Sequence, residues 1–378
     1  MVLLKLLLDN TKKSLYKVCM NKIIHFPESS RVFIKNKSVF RSQICNILTD
    51  YFTRWGFFPV ELPVLDYYDI YSEILTDNQK RESYRFTDRN GDLLLLRNDL
   101  TLFAARLVAT RSVQDNSSIK YYYRDSILRN EQSGNSHELF QIGCEIVSDK
   151  FNLEEFEVFL VILDSLRELN IENFQLHIGD LSIFKFLDRF TDDKKILNSF
   201  INSFRNKDLP NIKLIFEKLK VEKAIQNDIF KLFQFTGSYE ELIGIKLETE
   251  ISEYLTSYFE NAKNLDKAGY SDFIIYDFSE LPGSDYYSGL YFNVYCSELE
   301  VPLLTGGRYD KLFEKFSLKK NAIGFTYWLE SLERILYSKL ELKADEIRNF
   351  EISANNPHEL LLILDHIKTG GKVNVKYR

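Results

Sequence analysis

In Leu96-Arg-Asn-Asp-Leu-Thr101 a carboxylate and a hydroxyl stand two residues apart. The pair suits an ammonium group, which needs a nearby anion and can use a hydroxyl as a further acceptor. Asp99 also stands directly before a helical pattern, so capping that helix is an equally good use of it, and both roles can hold at once. A second pair, Gln141 and Glu145 in Phe-Gln-Ile-Gly-Cys-Glu, lies four residues apart in a strand-like run. Side chains alternate across a strand, so both point the same way, and a simple apolar-polar period of two would not produce this residue order. Arg129 offers a planar fork of donors. Tyr286, Tyr287 and Tyr309 offer hydroxyls and ring faces, although tyrosines on strands often only pack. No metal chemistry is expected: the five histidines form no HxxxH pattern, and the four cysteines form no CxxC pair.

Apolar spacing of three and four from Ser38 to Arg54 predicts a long amphipathic helix stopped by Gly56. Phe57 to Leu65 alternates and carries Pro59 and Pro63, which suits an extended edge segment. Ser83 to Phe86 and Asp92 to Arg97 read as strands joined by a tight hairpin at Asp88-Arg89-Asn90-Gly91, with Asn-Gly supplying positive φ angles. A helix from Leu100 to Arg111 follows. Strands at Lys120 to Tyr123 and Glu138 to Val147 flank a polar loop, Arg129 to Ser136. Leu153 to Leu169 is helical, and Phe174 to Ile178 is a strand ending at Gly179.

From Leu181 to Asn264 strand signals vanish and helical patterns are separated at Asn206 to Pro210 and at Thr236-Gly237-Ser238, which predicts an all-helical insertion. Strands return at Phe273 to Phe278, Gly289 to Tyr295 and Val301 to Leu304, then a Gly306-Gly307 turn and a final core helix near Gly324 to Leu336. The tail from Phe350 to Arg378 reads as strand, helix, strand, with Asn356-Pro357 starting the helix and Gly370-Gly371 ending it. The layout is α+β: a core at residues 1–180 and 265–340, a helical insertion at 181–264, and a short βαβ-like tail at 345–378.

With 378 residues, 45% hydrophobic and 14% aromatic, the chain can bury a large core, and a net charge of -6 is too modest for a disordered chain. A pI near 5.6 gives no global positive field for a polyanion such as tRNA. The separated cysteines fit a reduced, cytoplasmic protein. The apolar start from Met1 to Leu8 is interrupted by Lys5 and ended by Asp9, so it does not read as a signal peptide, and no run has the length of a membrane helix.

Several segments in fixed order resemble the class II aminoacyl-tRNA synthetases, and within them the histidine-specific branch and its regulatory paralogue, over roughly residues 25 to 336. Tyr51 to Pro63 is similar to the first motif, which builds the dimer interface. Tyr122 to Glu131 followed by Glu138 to Glu145 looks like the second motif, two antiparallel strands around a loop. Ser284-Asp-Tyr-Tyr-Ser-Gly-Leu-Tyr-Phe292 and Thr305-Gly-Gly-Arg-Tyr-Asp310 resemble the two histidine-specific segments. The resemblance implies an antiparallel sheet flanked by helices. It also implies an L-histidine pocket, with Asp99 and Thr101 at the amino group, Arg129 at the carboxylate, Gln141 and Glu145 along the strand face, and Tyr286, Tyr287 and Tyr309 around the imidazole. Aspartate rather than glutamate at position 99 is the paralogue's habit.

The departures from an active synthetase set the expected function. Pro282 stands where those enzymes place an arginine that stabilises charge on the phosphate, and it supplies neither donor nor charge. The third motif should end in Gly-Leu-Glu-Arg but reads Trp328-Leu-Glu-Ser331, which puts a bulky ring on the glycine and a serine on the nucleotide clamp. Arg334, nearly one turn further on, is the one candidate to replace that clamp. The tail after Leu336 is too short for an anticodon-binding module.

A non-catalytic regulatory subunit of ATP phosphoribosyltransferase is therefore expected. It has no cofactor, metal or tRNA, pairs with itself as a homodimer core, and joins the short catalytic subunit that links ATP to phosphoribosyl pyrophosphate in histidine biosynthesis. The rival expectations are a divergent histidyl-tRNA synthetase-like enzyme that activates an amino acid and a pure interaction scaffold.

Overall fold

The computed structural model describes residues 32–34, 36–111, 118–130, 137–150, 153–283, 286–337, 351–354 and 374–377. The apolar start, most of the Arg129 to Ser136 loop and the helix expected between Asn356 and Gly371 lie outside these residues. In chain order the first elements are α1 (Asn36–Arg54), β1 (Phe58–Pro59), β2 (Leu65–Tyr67), α2 (Tyr68–Tyr71), α3 (Asp77–Glu82), β3 (Arg85–Thr87), β4 (Leu93–Leu96), α4 (Leu100–Arg111), β5 (Ile119–Leu128), β6 (Glu138–Ser148), α5 (Glu154–Glu168) and β7 (Phe174–Asp180). After a 3-10 segment, Leu181–Arg189, come α6 (Lys194–Arg205), α7 (Leu209–Leu219), α8 (Lys223–Gln234), β8 (Thr236–Gly237), α9 (Tyr239–Ile243), α10 (Ile251–Tyr254) and α11 (Thr256–Lys267). The last are β9 (Ile274–Asp277), β10 (Leu290–Cys296), β11 (Leu304–Arg308), α12 (Asp310–Lys315), β12 (Asn321–Trp328), α13 (Leu329–Leu336), β13 (Glu351–Ala354) and β14 (Asn374–Tyr377).

Nine strands form one sheet in the order β1-β5-β6-β12-β11-β10-β7-β9-β8. The pairings are antiparallel except β1 with β5 and β7 with β9. This is the expected α+β class. The sheet's two faces differ sharply in residue type. One face carries Ile142, Cys144, Ile146, Phe292, Val294, Phe325 and Tyr327, all buried in a cluster that also takes in α1 and α5. That cluster continues through Phe186, Phe200, Phe204, Phe216 and Phe233 of the helical stretch, so sheet and helices share one core. The opposite face carries Tyr123, Gly143, Glu145, Gly324 and Thr326 beneath α4 and α12.

Several expected elements are corrected. Gly306 and Gly307 form no turn: they lie within β11, opposite Phe292 and Tyr291 on one side and Phe325 and Gly324 on the other. They are glycine because neighbours come close. A Cβ on Gly306 would strike the Phe292 ring, and one on Gly307 would lie 2.6 Å from the Leu290 carbonyl oxygen. The stretch expected as one helix from Gly324 is the central strand β12 followed by α13, which starts only at Leu329.

Thr236 and Gly237, expected as a separator between helices, pair with Tyr276 and Asp277 at the sheet edge, so the stretch is not purely helical. In the Asp88 to Gly91 turn only Gly91 has a positive φ, at 93°. Asp88 organises the turn instead: its Oδ1 accepts from the amides of Asn90 and Asp92, so Asn90 need not enter the left-handed region. The break before α7 follows its sequence: Asp208 Oδ1 caps the Asn211 amide and Pro210 sits in the first turn.

A β11 strand this crowded leaves no room for a methyl group. Gly306→Ala should destabilise the protein by about 3 kcal/mol in urea unfolding, the upper part of the usual overpacking range; a change below about 0.5 kcal/mol would show that the strands can separate freely there.

Candidate functional site

All eight residues singled out from the sequence line a single cavity of about 160 Å³ on the polar face of the sheet. That volume is roughly ten times what one water requires. Its floor is made by neighbouring strands. Gln141 pairs with Trp328 and Glu145 with Gly324, while Gly307 lies opposite Gly324 on the far side. Residues alternate across β12, so Gly324, Thr326 and Trp328 face the cavity while Phe325 and Tyr327 turn mainly to the core.

Glu145 is 1% exposed, and among the described residues its carboxylate is held by hydroxyls alone. Oε1 accepts from Thr101 Oγ1 at 2.8 Å and from Tyr123 Oη at 3.0 Å, and Oε2 accepts from Tyr309 Oη at 2.5 Å. Tyr123 is braced in turn by Thr326 at 2.6 Å. Gly324 makes the arrangement possible, because a Cβ there would collide with Glu145 Oε2. Burial pushes the Glu145 carboxyl up to about 7, against the pull of the three hydroxyls. No ion pair reaches Glu145 among the described residues.

Asp99 serves the two roles left open by the sequence. It lines the cavity, and its Oδ1 accepts from the Leu102 amide at 3.1 Å, capping the first turn of α4. Burial raises its carboxyl, while the Arg129 charge, the amides of Leu102 and Thr101 and the Tyr286 hydroxyl favour the charged form. Arg129 is fixed by its amide on His137 O at 2.9 Å and by Nε on Asn98 O at 2.9 Å. Its guanidinium carbon lies 5.9 Å from the centre of the Trp328 ring. Tyr286 and Tyr287 stack obliquely at 4.7 Å, and Tyr286 meets Tyr309 edge-on at 6.3 Å. The site thus offers two carboxylates, one guanidinium and a tyrosine wall, a set matched to a small zwitterion with a polar ring.

Sequence reasoning missed Gln79, Tyr123, Tyr291, Gly324 and Thr326 as parts of the site and treated Trp328 only as crowding. Tyr123 carried a usable signal, since it lies two residues from Tyr121 on a strand whose opposite residue, Gly143, sits between Gln141 and Glu145. Pro282 is buried, and its carbonyl accepts from Arg205 Nη2 of α6. Ser331 is buried on α13; Arg334 is exposed and does not line the cavity. Among the described residues no group of three or more metal-ligating side chains comes together, and no helix is long and apolar enough to cross a membrane.

Comparison with known proteins places this geometry. The sequence profile described as histidyl-tRNA synthetase matches residues 35–332. The chain is 27% identical over 312 residues to the ATP phosphoribosyltransferase regulatory subunit of Acetivibrio thermocellus, covering 80% of this chain and 74% of that protein. It is 26% identical over 360 residues to the histidine–tRNA ligase of Methanocaldococcus jannaschii, covering 92% and 84%. The crystal structure of an ATP phosphoribosyltransferase regulatory subunit/histidyl-tRNA synthetase from Bacillus halodurans superposes with a TM-score of 0.75 at 22% identity, covering 93% of this chain and 92% of that one. The expected fold of a class II synthetase core is thereby established.

The caged carboxylate has a pH signature. Glu145 ionises near 4.5 when unfolded and near 7 when folded, so the folded protein holds a proton that the unfolded chain releases. Stability should therefore fall as pH rises from about 4.5 to about 7, by an amount of order 3 kcal/mol. Urea unfolding of Glu145→Gln should show this part of the fall abolished; an unchanged pH profile would refute the assignment.

Proposed function

The chain belongs to the histidyl-tRNA synthetase family, and we propose that within it the molecule is the regulatory subunit of ATP phosphoribosyltransferase, joining a short catalytic chain at the first step of histidine biosynthesis. The observation that carries this reading is one cavity that gathers two carboxylates, a guanidinium and three tyrosines, together with Pro282 and Ser331 at positions where the resemblance to a synthetase calls for arginine. Asp99, Thr101, Arg129, Gln141, Glu145 and the tyrosines Tyr286, Tyr287 and Tyr309 stand together. Pro282 and Ser331 supply none of the charge that adenylation requires, and loss of one preorganised donor alone typically costs a hundred- to a thousandfold in rate. Relatives named as regulatory subunits, at 23–27% identity over about 80% of the chain, support the same choice over an amino-acid-activating enzyme.

In this proposal L-histidine is the ligand. Its ammonium group lies at Asp99 and Thr101, its carboxylate at Arg129, and its ring among Glu145 and the tyrosines. The protein works in the cytoplasm, needs no tRNA, cofactor or metal, and pairs with a second copy through the segment Tyr51 to Pro63. Feedback then requires histidine to bind one state of the assembly better than another, since equal affinity shifts no equilibrium.

Mixing this protein with the purified short catalytic chain should raise its phosphoribosyl transfer at least about tenfold, and histidine should reverse the gain. The protein alone should show no histidine-dependent exchange between ATP and pyrophosphate; exchange at a synthetase's rate of about 1 per second or more would overturn the regulatory reading. In calorimetry, Glu145→Ala should weaken histidine binding by at least about thirtyfold, the lower end for breaking a buried charged contact. Unchanged affinity would remove the pocket assignment and leave the family intact.

A further inference from the structure

The cavity has two poles, and they lie along β12. Gly324 marks the Glu145 end and Trp328 the other, four residues apart, which in an extended strand is about 13 Å. Thr326 stands between them on the same face. Among the described residues Arg129 is the one cation lining the cavity, and it lies at the Trp328 end. A ligand carboxylate drawn to that guanidinium is therefore brought beside the indole.

The backbone that carries the indole is fixed. Trp328 pairs with Gln141 across the strands, its amide donates to Leu303 O at 3.2 Å, and α13 begins at the next residue. Its side chain packs against the cluster that contains Tyr121, Tyr123 and Tyr309. The guanidinium of Arg129 is committed on its other sides, to Asn98 O through Nε and to the charge of Asp99. A carboxylate held by that guanidinium therefore has the Trp328 ring as its neighbour on the cavity wall.

We propose that Trp328 is a specificity-determining residue: its indole closes the carboxylate end of the cavity, so that the site accepts a free amino-acid zwitterion and rejects one whose carboxyl is extended into an adenylate. This rests on the pocket assignment above and deepens it, because it names what keeps the ligand a free amino acid. A purely structural indole would cost stability when removed but leave ligand preference unchanged. Steric exclusion predicts the reverse pattern, since a half-buried ring on the cavity wall blocks a larger ligand far more than it helps a smaller one.

The test compares L-histidine with a non-hydrolysable histidyl-adenylate by calorimetry on the full chain. Wild type should bind histidine and reject the adenylate by at least roughly thirtyfold. Trp328→Gly should raise adenylate affinity relative to that for free histidine by at least about tenfold; Trp328→Phe, which keeps a ring, should still reject it. Trp328→Leu supplies the same comparison if the glycine variant melts early.

The chain has two tryptophans, Trp55 and Trp328, so in a Trp55→Phe background the emission reports the cavity alone and should shift on adding histidine. Equal affinity of wild type for both ligands, or no gain in a folded small-residue variant, overturns the role of Trp328 while the pocket stands. Failure of histidine to bind wild type overturns both.

Discussion

A carboxylate with no cation beside it among the described residues, held inside a protein by hydroxyl groups, is the constraint on which the rest of the site depends. Burying such a charge is costly unless its oxygens are fully hydrogen-bonded. Glu145 meets that demand with donors from three separate elements: Thr101 on α4, Tyr123 on β5 and Tyr309 just before α12. Each donor has to be held at its distance, and so the helices above the sheet are fixed against the strands below. The remaining demand is space. Gly324, on the adjacent strand, provides it by having no side chain where the carboxylate lies.

The sheet accommodates this by using its two faces for different purposes. One face is packed with Phe, Ile and Val and is continuous with the aromatic core of the helical stretch. The other is lined with glycines, tyrosines and polar groups, residue types that would make a poor core but a good binding floor. The bare strands also explain how rings such as Tyr287 approach the backbone so closely, 2.9 Å from where a Cβ of Gly307 would stand. Rigidity comes from the packed face and recognition from the open one.

Much of this was legible in the chain, and the failures have physical causes. Gln141 and Glu145 could be placed because strand alternation is a local rule, and Asp99 because a carboxylate before a helical pattern has few uses. The pair Gly306-Gly307 was expected as a turn, since glycine marks turns far more often than it marks crowded strands; only the neighbouring strand reveals the crowding. Gly324 to Trp328 was expected as part of a helix because a central strand shows no clean alternation of apolar and polar residues. Thr236 and Gly237 owe their strand character to β9 alone, and a two-residue strand leaves no pattern of its own. Pro282 and Ser331 were visible at once, but that Arg205 of α6 would reach the Pro282 carbonyl was not, because the two are distant in the chain.

Asp99 is both a wall of the cavity and the cap of α4. A side chain tethered to a helix terminus cannot follow a ligand that sits slightly too high or too low without uncoiling the first turn. With the proposed ligand in place, the anionic wall is therefore a fixed gauge for the separation between its amino group and its ring.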